Sequence, residues 1–126
     1  MTFEELPNKK KRTDPLENEC LWPEFGQLFE LNAFYRKYQS SEGDIGEGYI
    51  KLWTVEEIKE YETISADMFD RENKVFGGDG GGTYFGFKRG ENGILFFSFD
   101  PIDLEGSINI LGTWLEFICC LKEGDY

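Results

Sequence analysis

Histidine is absent from the 126 residues of this chain. Its absence excludes Ser-His-Asp and Cys-His catalysis, an imidazole proton shuttle and the usual zinc ligand sets. Three cysteines are present, and Cys119 and Cys120 are adjacent. An odd number with this spacing fits neither a disulfide framework nor a Cys-x-x-Cys metal site, so we expect reduced, mostly buried thiols and no bound metal or cofactor.

The chain also lacks a long apolar run and an excess of basic residues. No run approaches the roughly 18 apolar residues of a membrane-spanning helix, and the N-terminus has no apolar signal-peptide core, so we expect a soluble, cytoplasmic protein. Thirteen Lys and Arg stand against 25 Asp and Glu, giving a net charge of −12. This balance argues against binding to nucleic acid, whose phosphates need cations, but permits steering towards a basic protein partner.

A glycine-rich stretch with the sequence VFGGDGGGTYFGF occupies residues 75–87. It does not fit a phosphate-binding loop, because no Gly-Lys-Ser/Thr follows and the Gly-x-Gly-x-x-Gly register ends at Thr83. Asp79 is its only acid, so a calcium loop is no better supported. We predict a tight strand-to-strand connection leading into a strand with Phe85 and Phe87 on one face and Tyr84 on the other.

The length of the chain predicts one domain, and its remaining pattern predicts both helices and strands. Residues 1–19, with the basic cluster at 9–12, are predicted to form a weakly ordered lead-in, and residues 20–126 the domain. We predict a helix at 23–38, with a strand as the alternative for 27–31, followed by a loop at 39–48 and a strand at 49–53. Further along the chain we predict irregular structure at 62–74, a hairpin around the Asn-Gly turn at 92–93 and a connector at 102–110. The strand at 94–99 is apolar on both faces, which indicates that it is covered on both sides.

Two helices carry start signals that the sequence shows directly. Thr54 with Glu57, and Thr113 with Glu116, have the spacing of a capping box. The second helix has an apolar stripe at i, i+3, i+4 and i+7 and a glycine just beyond its end. The stripe is formed by Trp114, Phe117, Ile118 and Leu121, and the glycine is Gly124.

Taken in order, three segments of the chain resemble the SUKH superfamily, the domain of the fungal Smi/Knr cell-wall regulators and of many bacterial proteins. The first is EGDIGEGYIKLWTVEEI at residues 42–58, the second FGGDGGGTYFGF at 76–87 and the third GTWLEFI at 112–118. The likeness covers roughly residues 28–122. Its signature residues are two tryptophans, a phenylalanine and five glycines: Trp53, Trp114, Phe117, Gly77, Gly78, Gly80, Gly81 and Gly82.

The resemblance implies a single α+β domain, in which helices flank a curved, mainly antiparallel sheet, and it implies no catalytic residues. Bacterial members resemble immunity proteins, which bind and neutralise a cognate polymorphic toxin such as a nuclease or deaminase. The leading hypothesis is therefore a non-catalytic immunity protein of bacterial type, whose partner is a protein toxin rather than nucleic acid or a membrane. We predict that the partner-binding residues are loop acids: Glu42, Asp44, Glu47, Asp79, Asp100, Asp103 and Glu105.

Three other functions stay open. A regulatory or scaffold interaction module of the Smi/Knr type is the first alternative. An enzyme would have to rest on paired carboxylates such as Asp100 and Asp103, and sequence proximity alone does not place those in a cleft. A small-ligand module would use the glycine stretch. An exposed strand edge could also pair with a partner or with a second copy of the chain.

Overall fold

The computed structural model of the chain describes residues 6–12, 21–26, 29–65, 72–103 and 108–126. In these ranges the chain forms a seven-stranded sheet in which each strand pairs antiparallel with the next one along the chain. The sheet is open, with its first and last strands at the two edges. The predicted α+β class, an antiparallel sheet flanked by helices, is confirmed.

The strands are β1 (Lys10–Lys11), β2 (Tyr38–Ile45), β3 (Gly48–Leu52), β4 (Lys74–Gly78), β5 (Tyr84–Gly90), β6 (Gly93–Phe99) and β7 (Asn109–Gly112). The α-helices of the described ranges are α1 (Glu30–Lys37), α2 (Val55–Ile64) and α3 (Trp114–Glu123), and a 3₁₀ turn at Pro23–Phe25 precedes α1.

One face of the sheet, here called the core face, carries the main hydrophobic core. Because strand side chains alternate, Phe85 and Phe87 of β5 both point to this face, and both are 0% exposed. Helix α3 packs here with its predicted stripe buried. Each fully buried side chain of this kind stabilises the fold by about 1.5–3 kcal/mol, so the sheet and α3 depend on each other. The core also includes Leu31, Phe34 and Tyr35 of α1.

The opposite side of the sheet, here called the outer face, has a second hydrophobic cluster. Val75, Phe97 and Phe99 are buried there, while their neighbour Phe96 faces the main core. The prediction that the strand at 94–99 is covered on both sides is therefore confirmed. Trp53 contacts both clusters, because it lies where the chain leaves β3 for α2.

Both predicted capping boxes are present. The Thr54 hydroxyl accepts a hydrogen bond from the Glu57 N–H at 3.2 Å, and a Glu57 carboxylate oxygen accepts one from the Thr54 N–H at 3.0 Å. Thr113 and Glu116 form the same pair at 3.3 and 3.1 Å. Gly124 ends α3 in the left-handed region, with φ +70°. These caps were predictable because each involves residues that are close in sequence.

The glycine stretch forms the predicted strand-to-strand connection, although part of it belongs to β4. Gly77 and Gly78 are the last residues of β4, and residues 79–83 connect β4 to β5. A Cβ atom on Gly77 would lie 2.3 Å from the Lys51 carbonyl oxygen. Glycine at this position therefore allows β3 and β4 to approach each other.

The prediction of a loop at residues 39–48 was wrong. Most of this segment is β2, joined to β3 by a turn at residues 46–47. Only Ser41, Ile45 and Gly48 are buried in it, and most of its other residues are polar types with low strand propensity. Pairing with β1 on one side and β3 on the other decides the structure.

Five other boundaries differ from the predictions. The helix predicted at 23–38 is interrupted at Gly26, whose φ is +83°, and Leu31 lies in α1 rather than in the alternative strand. Tyr38 already belongs to β2. Residues 62–64, predicted to be irregular, continue α2, and the predicted connector at 102–110 contains the first half of β7. The chain turns between β5 and β6 at residues 91–92, one residue before the predicted Asn-Gly pair.

Part of the predicted lead-in lies against the sheet. Leu6 is 2% exposed, Lys10–Lys11 pair with β2, and the Asn8 amide donates a hydrogen bond to the Glu42 carbonyl at 2.9 Å. The Arg12 side chain donates to the Tyr35 carbonyl. The rest of the lead-in, residues 1–5 and 13–19, lies outside the described residues.

The thiols only partly match the expectation of burial. Cys119 is exposed on α3, so the prediction was wrong for this residue, and Cys120 is half-buried. Burial raises the pKa of the Cys120 thiol, and the nearby acids Asp125 and Glu123 raise it further. Cys20 lies outside the described residues. Separately, none of the helices described here is long and apolar enough to cross a membrane.

Candidate protein-binding surface

Three of the strand connections meet at one end of the sheet. In a sheet of consecutive antiparallel strands, alternate connections lie at the same end. The β2–β3 turn, the β4–β5 connection and the start of the β6–β7 connection therefore lie together and carry Glu47, Asp79, Asp100 and Asp103. We call this end of the sheet the acidic end.

The C-terminal segment brings further acids to the acidic end. The Glu47 N–H donates a hydrogen bond to the Lys122 carbonyl at 2.7 Å, and the Tyr126 hydroxyl donates to an Asp79 carboxylate oxygen at 3.2 Å. Burial, and secondly Asp79, raise the pKa of the Tyr126 hydroxyl. These contacts place the exposed Glu123 and Asp125 beside the β2–β3 turn, together with Lys122. The sequence gives no local signal for this proximity, and we did not predict it.

Two of the predicted acids shape their own turns. Asp79 accepts hydrogen bonds from the N–H groups of Gly81 and Thr83 at 2.8 and 3.1 Å, and so holds residues 79–83 in place. Asp100 accepts from the Ile102 N–H at 2.8 Å in the turn after β6. Both carboxylates therefore fix loop geometry, in addition to any contact they make with a partner.

The predicted acids Glu42 and Asp44 lie on the outer face of β2, not on a loop. Both are exposed, and across the ladder they face Lys51 and Tyr49 respectively. The Tyr49 hydroxyl donates to a Glu42 carboxylate oxygen at 2.7 Å, and this hydrogen bond is the main cause that raises the Tyr49 pKa. A Cβ atom on Gly80 would lie 3.4 Å from the Tyr49 ring. The exposed part of the outer face is therefore continuous with the acidic end.

Glu105, the remaining predicted acid, lies outside the described residues. The residues of the glycine-rich and aromatic signature lie in or against the hydrophobic core, at the end of β4 or in the connection between β4 and β5. Trp114 and Phe117 are buried in the main core, and Gly80, Gly81 and Gly82 lie in the β4–β5 connection.

An aromatic cleft of about 310 Å³ opens between α2 and the outer face. Three half-buried rings line it: Trp53 and Tyr84 have centroids 5.0 Å apart, Trp53 and Tyr61 5.2 Å, and Tyr61 and Tyr84 5.5 Å. Burial, and secondly the neighbouring Tyr84, raise the pKa of the Tyr61 hydroxyl. The other lining residues are Lys51, Glu57, Glu60 and Ile64.

This cleft was not predicted from the sequence. Its three rings come from the residue just after β3, from the middle of α2 and from the start of β5, and the first and last are 31 positions apart in the sequence. The alternation that placed Tyr84 on the face opposite Phe85 was the one sequence signal for it.

Within the part of the chain that the structure describes, no group of three or more His, Cys, Asp or Glu side chains is arranged to hold a metal ion. No protein-family model matches the sequence, and a search of curated proteins finds no match.

Proposed function

We propose that this protein is a non-catalytic immunity protein, which binds a cognate protein toxin and neutralises it. The observation that carries the proposal is the acidic end, where three connections and the C-terminal segment gather exposed carboxylates. The resemblance of three ordered segments to the SUKH superfamily supplies the biological setting.

The charge of the acidic end suits a basic partner. A toxin that cleaves or modifies nucleic acid needs basic side chains to hold phosphates. An acidic surface is attracted to such a site over long range, which speeds association, and on docking it covers the site. Barnase and barstar are the established example of this steering and serve here as an analogy.

The local contacts of the acids suit a docking surface. Asp79 and Asp100 accept backbone hydrogen bonds within their own turns. Their carboxylates are thereby held in fixed positions, as a pre-organised docking surface requires.

The proposal is tested by expressing the neighbouring gene in cells with and without this protein. We expect the neighbour to be toxic, this protein to rescue growth, and the two proteins to purify together. A neighbour that is harmless and does not bind would contradict the proposal.

A charge-reversal variant then tests the surface. Glu42, Asp44 and Glu47 are all exposed on the β2–β3 hairpin, and changing each to Lys raises the net charge by two per residue, from −12 to −6. We expect weaker toxin binding and a flatter dependence of the association rate on salt. The control reverses Glu56, Glu62 and Glu91, which are exposed elsewhere and give the same net charge. Equal effects of both variants would show that only total charge matters.

A regulatory or scaffold module of the Smi/Knr type is the second candidate, and β7 favours it. This edge strand contains no charged residue. Ile110 within it is 46% exposed, and Ile108 just before it is 44% exposed. Natural edge strands are normally protected by charges or proline, as β1 is by its lysines. A partner strand added to β7, without any toxin encoded nearby, would favour this second function.

A further inference from the structure

We propose that the aromatic cleft binds one basic side chain of the protein partner, the guanidinium group of an arginine. The inference rests on the proposed function, because it names the chemistry by which the toxin would be anchored. It concerns the outer face, and none of the predicted acids lines the cleft.

The three rings provide the main attraction. Aromatic faces carry negative potential and attract a cation within about 6 Å of the ring centroid, and arginine does this more often than lysine. Trp53 and Tyr84 are almost perpendicular, at 89°, so the cleft presents rings in different orientations. Such a contact is already present in the described part of the chain, where the Arg89 guanidinium lies 4.6 Å from the centroid of the Phe25 ring.

The charged residues of the cleft favour a cation. Glu57 and Glu60 both lie on the side formed by α2. Among the described residues that line the cleft, the one lysine is Lys51. It lies directly across the ladder from Glu42, which offsets its charge. The described residues that line the cleft therefore carry a net negative charge. A guanidinium group can pair with a carboxylate while it stacks on a ring.

The cleft is held in shape before any partner arrives. The Trp53 N–H donates to the Phe76 carbonyl at 3.0 Å, and the Trp53 carbonyl accepts from the buried Tyr35 hydroxyl. Both backbone groups of Trp53 are thus fixed, which lowers the entropy lost on binding. The volume of the cleft, about 310 Å³, is at the lower limit of small-molecule sites. A cleft of this size suits one side chain better than a nucleotide-sized ligand.

The first experiment uses the full chain and a small probe, without any toxin. N-acetyl-arginine amide is titrated into ¹⁵N-labelled protein, with N-acetyl-citrulline amide as its neutral analogue. We expect arginine to shift the indole signal of Trp53 and the backbone signals of Tyr61 and Tyr84, and citrulline to leave them in place. Equal shifts with both compounds, or none at those residues with arginine, would overturn the inference.

Matched variants assign the binding to the cleft. Changing Glu60→Gln, which lines the cleft, is expected to weaken arginine binding about three- to fivefold. Glu62→Gln is the control, because Glu62 is exposed on the same helix but does not line the cleft. Tyr61→Leu keeps apolar volume and removes a ring, and should weaken binding further. If Tyr61→Leu fails to fold, the Glu60 and Glu62 pair still decides the question.

The second experiment separates this inference from the proposed function. Wild-type protein and the Glu60→Gln and Tyr61→Leu variants are compared for rescue from the toxin and for affinity. Rescue by all three with equal affinity would overturn the cleft as an anchor and leave the immunity function intact. Failure of the wild type to rescue would overturn the proposed function. The arginine titration would then still show whether the cleft binds a guanidinium group.

Discussion

Changing Tyr35→Phe removes one hydroxyl group where α1 meets the backbone of Trp53. The Tyr35 side chain is 2% exposed, and its hydroxyl donates a hydrogen bond to the Trp53 carbonyl. A typical hydrogen bond of this kind contributes about 0.5–1.5 kcal/mol, and a buried acceptor left without a donor costs about 1–3 kcal/mol. At pH 7 we therefore expect the variant to be less stable by about 1–2 kcal/mol.

The same hydroxyl makes the wild type sensitive to high pH. Burial, and secondly the charge of Glu57, raise the pKa of Tyr35 far above 10.0, although Arg12 acts in the opposite direction. Below pH 10 both the folded and the unfolded chain keep the proton, so the stabilisation is complete. Above it the unfolded chain releases the proton first, and the free energy of unfolding falls by up to about 1.4 kcal/mol per pH unit.

The difference between variant and wild type should therefore change with pH. By pH 11.5 the wild type has lost about 2 kcal/mol through Tyr35, and the Phe variant has lost none of this. All other residues are the same in both proteins, so their contributions cancel in the difference. We expect the variant to become equal to the wild type, or slightly more stable, at that pH.

Urea unfolding from pH 7 to 11.5, followed by circular dichroism with a reductant present, measures both curves. Tyr49→Phe is the control, since this hydroxyl lies on the outer face and donates an exposed hydrogen bond to Glu42. Its removal should change the stability at pH 7, and the dependence of stability on pH, much less than the removal of the Tyr35 hydroxyl. Parallel curves for Tyr35→Phe and wild type, with a constant gap across the pH range, would refute the reasoning.

Two further predictions concern local structure. Thr113→Ala removes the capping box of α3 and should lower the free energy of unfolding, measured in urea titrations, by about 1 kcal/mol. Thr113→Ser is the control, because it keeps the hydroxyl that accepts the hydrogen bond. Equal stability of the two variants would contradict the role of the cap. Gly77→Ala places a Cβ atom 2.3 Å from the Lys51 carbonyl and should destabilise the protein by at least about 2 kcal/mol. Gly81→Ala is the control, because the nearest atom to its new Cβ would be 3.6 Å away, and it should leave the melting temperature almost unchanged. A similar loss of stability in both glycine variants would mean that the close approach of β3 and β4 does not cause the destabilisation.

Features that depend on a few neighbouring residues were read correctly from the sequence. The capping boxes of α2 and α3 were predicted because each uses side chains three positions apart. The apolar run of β6 predicted burial on both faces, because successive strand residues point in opposite directions. The glycine connection followed from the backbone freedom of residues 80–82.

The tertiary structure decided what depends on residues far apart in the chain. β2 has few apolar residues, so its strand conformation comes from pairing with β1 and β3 rather than from local preference. The C-terminal acids reach the acidic end because α3 packs on the core face and its end meets the β2–β3 turn. The aromatic cleft joins β3, α2 and β5. Composition thus determined the acidic character, and the resemblance of three segments to a known family indicated the class of fold. The position of each candidate binding group was set by long-range packing that no local pattern encodes.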